Sequence, residues 1–297
     1  MSNWLQFIKE RFEPVSHLAL ISLFVAAHWV VAEALLATSI GLPALITVFI
    51  GALTFFFKLR LYDEIKDYEV DIEFNPTRPL ARGLLKIADM KRGIAVCIVI
   101  ELVAFGSRGS ESLVAAAVAI GYSLLMYKEF FIGTLIRPLL TTYAVSHTFV
   151  SVLLSLTLLI ALGDGGLGLA GTHGKELLLF ALNSWCLFNV FEFGRKTFFS
   201  EEERARVPSY SKVFGRAGAV VLVLGMAGMS LWLLLAGQVL GGMTAGAVGV
   251  AIALLAASGI ILAIKNGRPF GSLYRALTSV YILAVYAIVI VARRCGC

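Results

Sequence analysis

Four acidic side chains are crowded together between two long apolar stretches, at Asp63, Glu64, Asp67 and Asp71. If the segment is helical, Glu64, Asp67 and Asp71 fall within about 60° of one another, with Asp63 at the edge of that arc. Like charges on one narrow face repel each other unless a cation neutralises them. The cluster therefore predicts a divalent metal site, with Mg²⁺ shared with a phosphate group. The alternative interpretation is a solvated acidic turn in a loop.

A second polar constellation follows a later apolar stretch. On a helix, Asn189, Glu192 and Lys196 share one face within about 60°, and Arg195 borders Glu192 on the other side. One carboxylate with two cations could complete a site in which Mg²⁺ and basic side chains hold a diphosphate. The alternative is a collar of helix-end cations at the membrane interface.

These two constellations must be positioned by helices that cross a membrane. The chain has 297 residues, of which 59% are apolar and 15% charged, so the composition excludes an ordinary soluble domain. We predict an all-α polytopic bundle of nine spans around a central cavity, preceded by an interfacial amphipathic segment over residues 1–15. The predicted spans are 16–38, 42–62, 91–107, 111–128, 135–162, 174–194, 213–237, 242–264 and 272–292. No separate soluble domain is expected, so residues 1–297 form one transmembrane domain.

Lysine and arginine are distributed unevenly between the two sides of this predicted bundle. With the N-terminus inside, the opposite side holds only Arg108, Lys175, Arg293 and Arg294 of the 25 basic residues. The positive-inside rule then predicts a cytoplasmic N-terminus and a C-terminus on the other side. Both motif loops, 60–90 and 195–212, fall on the cytoplasmic side. Each follows a pair of spans, which suggests two pseudo-repeated four-helix halves plus one further helix.

The motifs are specific enough to show a resemblance to the UbiA-type intramembrane prenyltransferase superfamily. Its first motif, Asn-Asp-x-x-Asp-x-x-x-Asp followed by Arg-Pro-Leu and Gly, is similar to the segment from Asp63 to Asp71 with Arg78-Pro79-Leu80 and Gly83. Its second motif, Asp-x-x-x-Asp after the sixth span, aligns with Glu192 to Lys196. The stretch Ser209 to Gly215 is similar to the Ser and Gly that usually follow.

The resemblance implies a chemistry and a role for each motif residue. Mg²⁺ held by Asp63, Glu64, Asp67, Asp71 and Glu192 would grip an isoprenyl diphosphate. Arg78, Lys128, Arg195 and Lys196 would bind the diphosphate, Lys128 being similar to the family's lysine at that place. Asp67, Asp71, Arg78, Lys128 and Lys196 would be the catalytic residues. The departing diphosphate would leave an allylic cation, which a lipid-accessible cavity protects from water while it alkylates an acceptor.

Lys196 is the main departure from the family pattern. An ammonium in place of the second acid removes one metal ligand and adds a direct phosphate contact. This change leaves open a terpene cyclase of the same fold, or an enzyme that joins a polyprenyl phosphate to a phosphorylated sugar. His147, four residues after Tyr143, either lines the acceptor pocket and acts as a base or is a buried structural histidine.

The sequence thus predicts a Mg²⁺-dependent integral-membrane transferase that moves a polyprenyl group to a small acceptor. A transporter is the non-enzyme alternative, although its charges would be expected near the bilayer midplane. The partners are an isoprenyl diphosphate, the bilayer and an unidentified acceptor, with no nucleic acid. Lacking a recognisable transit peptide, the chain is expected in a prokaryotic plasma membrane. Chain length of the donor, acceptor, product and oligomeric state are left open by the sequence.

Overall fold

The secondary structure is helical throughout the part of the chain that the structure describes. A computed structural model describes residues 2–37, 39–164, 166–203, 208–265 and 268–295. The helices are α1 (Asn3–Arg11), α2 (Pro14–Leu36), α3 (Leu42–Lys66), α4 (Tyr68–Phe74), α5 (Ile87–Gly106), α6 (Ser110–Tyr127), α7 (Gly133–Ile136), α8 (Leu140–Thr148), α9 (Val150–Gly163), α10 (Gly174–Arg195), α11 (Tyr210–Ala236), α12 (Gly242–Ile264) and α13 (Arg268–Cys295). The predicted all-α class is confirmed.

Eight helices among the described residues are long and apolar enough to cross a membrane. They are α2, α3, α6, the α8–α9 pair, α10, α11, α12 and α13. The predicted third span corresponds to α5, which carries Asp89, Lys91, Arg92 and Glu101 within 20 residues. By length and composition α5 is therefore not among the eight, and the predicted count of nine is not confirmed. Helix length and composition do not say which side of a membrane each terminus occupies, so the predicted sides of the N-terminus and the C-terminus stay predictions.

The long helices pack against one another around the bundle. Going round, α3 contacts α5, α5 contacts α6, α6 contacts α9, and α9 contacts α10. The sequence of contacts continues through α11, α12 and α13, and α13 closes against α2. The α9 helix is the most enclosed element, with nearly every residue buried. Because α9 also contacts α2 and α3, it lies towards the middle of the bundle.

Two of the predicted spans differ from the observed helices at one end. The predicted second span stops at residue 62, whereas α3 continues to Lys66 and so carries the first acids of the motif on a regular helix. The predicted fifth span begins at residue 135, whereas residues 133–136 form the separate short helix α7. Pro138 explains the break, because it has no amide hydrogen with which to continue the hydrogen-bond ladder of α7.

Buried polar contacts fix the helices inside the apolar bundle. The Lys58 ammonium of α3 forms an ion pair with Glu101 of α5, and both side chains are fully buried. His28 of α2 lies 2.6 Å from the hydroxyl of Ser155 on α9, measured from Nε2 to Oγ. Buried charges and polar groups are tolerated in apolar surroundings when they are paired. These contacts therefore set the register of α3 on α5 and of α2 on α9.

Candidate active site

The acidic motif lies on a nearly continuous helix that leaves the bundle. Asp67 joins α3 to α4 with near-helical dihedral angles, φ −86° and ψ −3°. The amide of Asp67 donates to the carbonyl of Asp63 at 2.9 Å, and the amide of Asp71 donates to the carbonyl of Asp67 at 2.8 Å. The helical spacing therefore continues from α3 into α4, and Asp63, Asp67 and Asp71 follow one another at intervals of about one turn.

Asp63 and Asp67 present the accessible carboxylates of this motif. Both side chains are exposed, and that of Asp67 is 58% exposed. Desolvation by the surrounding protein, together with the charge of Asp71, raises the pKa of the Asp67 carboxyl. Arg78 opposes this rise because its Nη1 lies 3.8 Å from Oδ2 of Asp67. The carboxylates of Asp63 and Asp67 are therefore the two acids of the motif whose negative charge a bound cation could neutralise favourably.

Asp71 lies behind them and is already paired. Nη1 of Arg78 donates to both of its carboxylate oxygens, at 2.7 Å to Oδ1 and 2.6 Å to Oδ2. The amide of the Asn75 side chain donates to the same Oδ1 at 3.0 Å. The Asp71 carboxylate is buried and holds Arg78 against the motif helix. Arg78, predicted to be a diphosphate clamp, is therefore anchored beside the open Asp67.

Glu64 occupies a different environment from its neighbour Asp63. Its Oε1 accepts from Nε of Arg11 on α1 at 2.6 Å and from Nη2 of Arg60, one turn earlier, at 2.6 Å. The side chain is 1% exposed, whereas Asp63 is open. Two guanidinium groups thus neutralise Glu64 without a metal. Its predicted role as a metal ligand stays a prediction, and the observed contacts make it the centre of an ion-pair triad.

The basic motif terminates α10. Oε2 of Glu192 accepts from Arg195, at 2.6 Å from Nε and 2.5 Å from Nη2. Oε1 of Glu192 lies 2.9 Å from Nζ of Lys196. Arg195 also interacts electrostatically with Asp63 at the end of α3. The acidic and basic motifs therefore lie at the same end of the bundle.

A second polar chain borders the same space. The ammonium of Lys66, at the end of α3, donates to the hydroxyl of Tyr143 on α8 at 2.8 Å. That hydroxyl donates in turn to Oε1 of the buried Glu129 at 3.3 Å. Glu129 accepts from Nε of Arg137 at 2.8 and 2.9 Å. Arg137 and Asp67 also interact electrostatically. Lys66, Glu129 and Arg137 were not predicted as site residues from the sequence.

His147 adjoins this chain with one nitrogen free. Its Nδ1 lies 2.7 Å from the carbonyl oxygen of Tyr143, and its ring stacks on that of Tyr143 with centroids 3.8 Å apart. Since a carbonyl only accepts, Nδ1 carries the proton and Nε2 is an acceptor. Nε2 is buried without a hydrogen-bond partner. The charges of Lys66, Glu129 and Glu192 reach this imidazole, which places it at the edge of the site.

Lys128 is the C-terminal cap residue of α6 and lies next to the site. Its Nζ lies 5.2 Å from the centroid of the Tyr127 ring. Tyr127 stacks on Tyr62 at 4.7 Å, and Tyr62 immediately precedes Asp63. The exposed Lys128 is thus near the acidic end of α3, and it forms no ion pair among the described residues. Its predicted contact with a diphosphate stays a prediction.

Ser209 and Gly215, the last elements of the predicted second motif, shape the start of α11. The Ser209 hydroxyl accepts from the amide of Lys212 at 3.1 Å and donates to Glu203 at 2.6 Å. Gly215 has a φ of 71°, which only glycine adopts without strain. Both residues therefore act locally, on the geometry of the chain that follows α10.

The residues present fit a magnesium ion that is shared with a substrate. Among the described residues, no group of three or more acidic, histidine or cysteine side chains could hold a metal alone. The five predicted ligands are not gathered around one point, because Glu64, Asp71 and Glu192 are engaged by arginine or lysine. Mg²⁺ often binds through one or two carboxylates and completes its shell with phosphate oxygens and water. Asp63 and Asp67 supply such a pair.

An aromatic cluster lies earlier along the helices that carry the charged groups. The rings of Phe56 on α3 and Phe188 on α10 stack with centroids 5.7 Å apart and an interplanar angle of 25°. Phe24 of α2 contacts both rings, at 5.8 and 6.0 Å, and Tyr286 of α13 contacts Phe24 at 5.6 Å. Both α3 and α10 therefore carry charged groups near their ends and an aromatic contact within the bundle.

An apolar groove of about 390 Å³ lies at the other end of the bundle. It runs between α6 and α9 and is lined by residues such as Val114, Val118, Leu153 and Leu156. It opens near Ser110, at the end of α6 opposite to Lys128. The groove is therefore separate from the charged site and contributes nothing to its chemistry.

Two comparisons of the chain with known proteins by sequence give no match. No family model matches it, and no curated protein matches it. Solved structures do match. One comes from work on digeranylgeranylglyceryl phosphate synthase in membranes, with a TM-score of 0.63, 16% identity and 99% of each chain covered. Another is a ligand-free UbiA homologue from Aeropyrum pernix K1, with a TM-score of 0.62, 17% identity, and 92% of this chain and 96% of that chain covered.

The structural matches confirm the predicted resemblance at the level of the fold. Both extend over nearly the whole chain, so the similarity is not confined to one helical hairpin. The chain therefore has the fold of UbiA-type intramembrane prenyltransferases. At 16–17% identity this similarity concerns the fold alone.

Proposed function

We propose that the protein is an integral-membrane prenyltransferase that moves an isoprenyl group from its diphosphate to a small acceptor. The observation that carries the proposal is that the acidic motif, with Asp63 and Asp67 exposed, lies at the same end of the bundle as Arg195, which interacts electrostatically with Asp63. Isoprenyl diphosphates need both halves of such a site, because the diphosphate requires cations and the hydrocarbon requires an apolar cavity. The fold, shared with UbiA-type prenyltransferases, supports the same conclusion.

The side chains of the site bind the diphosphate and stabilise its negative charge as it leaves. Arg78, Arg195 and Lys196 bind diphosphate oxygens, and their charges stabilise the negative charge that develops on the leaving group. Mg²⁺, held by Asp63 and Asp67 and by the substrate, would supply further charge stabilisation when bound. Arg78 is pre-oriented for this task by Asp71.

The reaction then follows from this arrangement. The bond between C1 of the isoprenyl chain and the diphosphate oxygen breaks, and its electron pair leaves with the diphosphate. The acceptor donates an electron pair to C1, forms the new bond and loses a proton. Nε2 of His147 is the free acceptor at the edge of the site and takes this proton. Phe56 and Phe188 add apolar surface that keeps water away from the hydrocarbon part of the donor.

Lys196 favours one variation on this scheme. Because Lys196 neutralises Glu192, α10 supplies cations to the diphosphate in place of a second metal site. We therefore propose that this enzyme uses fewer metal ions than an enzyme with acids at both positions. A terpene cyclase, or a transferase that joins a polyprenyl phosphate to a phosphorylated sugar, is a second candidate supported by the same residue. The products distinguish these candidates.

The proposed location and orientation come from the distribution of charge. We propose that the N-terminus and both motif loops are on the cytoplasmic side of a prokaryotic plasma membrane, in keeping with the positive-inside rule. Labelling of single cysteines at Ser2 and Glu201 with an impermeant reagent in intact cells tests this orientation. Labelling at either position before the cells are opened contradicts it.

The function is tested with the full chain in liposomes and a set of labelled donors from dimethylallyl to geranylgeranyl diphosphate. Diphosphate release and lipid products are measured with and without Mg²⁺. We expect diphosphate release to require Mg²⁺ and a membrane lipid extract that supplies the acceptor. Asp67→Asn should lower turnover by at least about a hundredfold, because it removes a carboxylate from the cation site.

Glu69→Gln is the matched control for this substitution. Glu69 is an exposed acid two residues away, so its replacement makes the same change of charge outside the proposed site. It should keep turnover near that of the unchanged protein. An adduct with an acceptor supports prenyl transfer, whereas a cyclic hydrocarbon alone supports a cyclase. Normal turnover in Asp67→Asn, or solute movement without any diphosphate release, overturns the proposal.

A further inference from the structure

Two cavities lie side by side at the start of α6, at the end of that helix opposite to Lys128. The apolar groove of about 390 Å³ runs between α6 and α9, and a smaller polar pocket of about 190 Å³ adjoins it. The walls of both contain Ser110, Glu111 and Ile160. The two cavities therefore form one site with an apolar part and a polar part.

The apolar part is a groove along α6 that is open on one side. Val114 and Val118 of α6 line it together with Leu153 and Leu156 of α9. The two valines are 63% and 54% exposed, so the groove opens to whatever surrounds the helices. From Ser110 to Val118 the helix rises by about 12 Å. Because hydrocarbon chains surround a membrane helix and pack against it by van der Waals contact, the groove suits one such chain lying along α6.

The polar part is built around the first turn of α6. Gly109, Ser110, Glu111 and Ser112 all line the pocket, and no side chain among the described residues caps this turn. The first amides of a helix have no partner within it and bind phosphate groups readily. Ser112 is 1% exposed, and its hydroxyl has no hydrogen-bond partner in the described part of the chain. A polar group bound in this pocket would therefore satisfy groups that are costly to leave unpaired.

Three charged side chains surround this turn and line the pocket. Arg108 donates from Nε to the carbonyl of Ala161 at 3.1 Å, and its Nη2 lies 3.4 Å from Oδ1 of Asp164. The carboxylate of Glu111 lies against Gly168, since a methyl group added to that glycine would be 3.0 Å from Oε2. The pocket thus has one positive and two negative side chains. This balance suits a ligand that carries both a phosphate and an ammonium group better than a purely anionic one.

We propose that this site binds a phospholipid with a primary ammonium headgroup, of the phosphatidylethanolamine class. One acyl chain lies in the groove, the phosphate sits at the start of α6 beside Arg108, and the ammonium donates to Glu111 and Asp164. The bound lipid bridges α6, α9 and the segment that follows α9, so it stabilises the folded bundle. The site is separate from the charged motifs, and the proposal does not depend on the transferase function.

The test measures lipid binding to the full chain in detergent. Phosphatidylethanolamine, phosphatidylcholine and phosphatidylglycerol with identical acyl chains are titrated separately into delipidated protein. Native mass spectrometry gives the Kd, and thermal unfolding gives the midpoint. Phosphatidylethanolamine should bind at least about tenfold more tightly than the other two lipids and should raise the midpoint most. Equal binding of the three lipids, or tightest binding of phosphatidylglycerol, overturns the proposal.

Glu111→Gln tests the contact with the headgroup. Glu111 is exposed, so the substitution removes a charge without disturbing the core. It should reduce the preference for phosphatidylethanolamine over phosphatidylcholine to about twofold. The double variant that adds Asp164→Asn removes both acids, so that neither can replace the other. Glu69→Gln, the same change at an exposed position outside the site, is the control and should keep the preference. An unchanged preference in the double variant contradicts the proposed headgroup contact.

Val114→Trp tests the position of the acyl chain, because the larger side chain fills the groove. It should weaken the binding of all three lipids by at least about tenfold, and Val118→Trp should do the same from a second position. Val103→Trp is the matched control: Val103 of α5 is 66% exposed and is not among the residues described around either cavity. It should bind lipid like the unchanged protein. If both groove variants also bind lipid normally, the chain does not lie in the groove and the proposal is wrong.

Discussion

Asp63 and Glu64 are adjacent residues whose carboxylates lie in opposite environments, one exposed and one buried. The exposed Asp63 faces the electrostatic field of Arg195, whereas the buried Glu64 joins Arg11 to Arg60. A carboxylate that is neutralised by two guanidinium groups gains little from a metal ion. The local sequence does not distinguish the two acids, but their surroundings leave Asp63 accessible to a ligand and make Glu64 a tether between α1 and α3.

This difference gives a paired prediction. Glu64→Gln should destabilise the protein by about 3 kcal/mol, because it leaves two partly buried arginines without their counter-charge. Asp63→Asn should leave stability nearly unchanged and weaken Mg²⁺-dependent turnover. Chemical unfolding in detergent and titration of turnover with Mg²⁺ measure the two effects. If Glu64→Gln weakens the Mg²⁺ dependence as strongly as Asp63→Asn does, Glu64 is a metal ligand after all.

His147 provides a second prediction for a single side chain. His147→Asn retains a donor for the carbonyl of Tyr143 but removes the acceptor at Nε2. If His147 takes the proton of the acceptor, kcat should fall by about a hundredfold with little change in KM for the donor. Steady-state kinetics with varied donor concentration measure both constants. Unchanged kcat, or a loss that appears only in KM, shows that His147 merely lines the site.

At the scale of elements, α1 fastens the first motif loop to the bundle. Glu10 accepts from both terminal nitrogens of Arg82, each at 2.8 Å, and the side-chain amide of Asn3 donates to the carbonyl of Leu84 at 3.0 Å. The hydrogen bonds from Arg82 lower the pKa of Glu10 to about 2. The α1 helix therefore holds the loop that carries Arg78.

The lowered pKa of Glu10 sets the pH range over which this fastening acts. A carboxylate with a depressed pKa contributes above its ordinary pKa, 4.5, and loses the contribution as the pH falls towards about 2. Spin labels at Gln6 and Lys86 should therefore keep a narrow distance distribution at pH 7 and a broader one at pH 3. Glu10→Gln should show the broad distribution at both values. A narrow distribution for that variant would mean that apolar contacts alone hold α1.

Local periodicity explains which parts of the site were predictable at this scale. The positions of Asp63, Asp67 and Asp71 one turn apart follow from helical geometry, so the acidic face could be read from the sequence. The triad at Glu64 could not, because Arg11 lies 53 residues away and reaches it only when α1 crosses α3. Glu129 was missed for a similar reason, since it lies in an irregular turn with a φ of 51° and has no helical pattern around it.

At the scale of the whole molecule, hydrophobicity specified the class of fold and the motifs specified the fold itself. The long apolar stretches predicted a helical membrane bundle, and similarity to two solved structures over nearly the whole chain confirms the predicted fold. The number of spans was harder to predict, because α5 carries three charges near its start and the buried Glu101 within its apolar part. The aromatic stack was not predicted either, since contact of Phe56 with Phe188 depends on the distance between α3 and α10.

The buried pair of Lys58 and Glu101 has a consequence for how the protein is made. Each charge would be costly in a helix that faced lipid alone, and among the described residues each forms its ion pair with the other. During synthesis α3 emerges before α5, so for a time Lys58 has no partner. We therefore expect the first hairpin of the bundle to stay within the insertion machinery, or to keep Lys58 in water, until α5 arrives. Burial of Lys58 and burial of Glu101 are thus coupled.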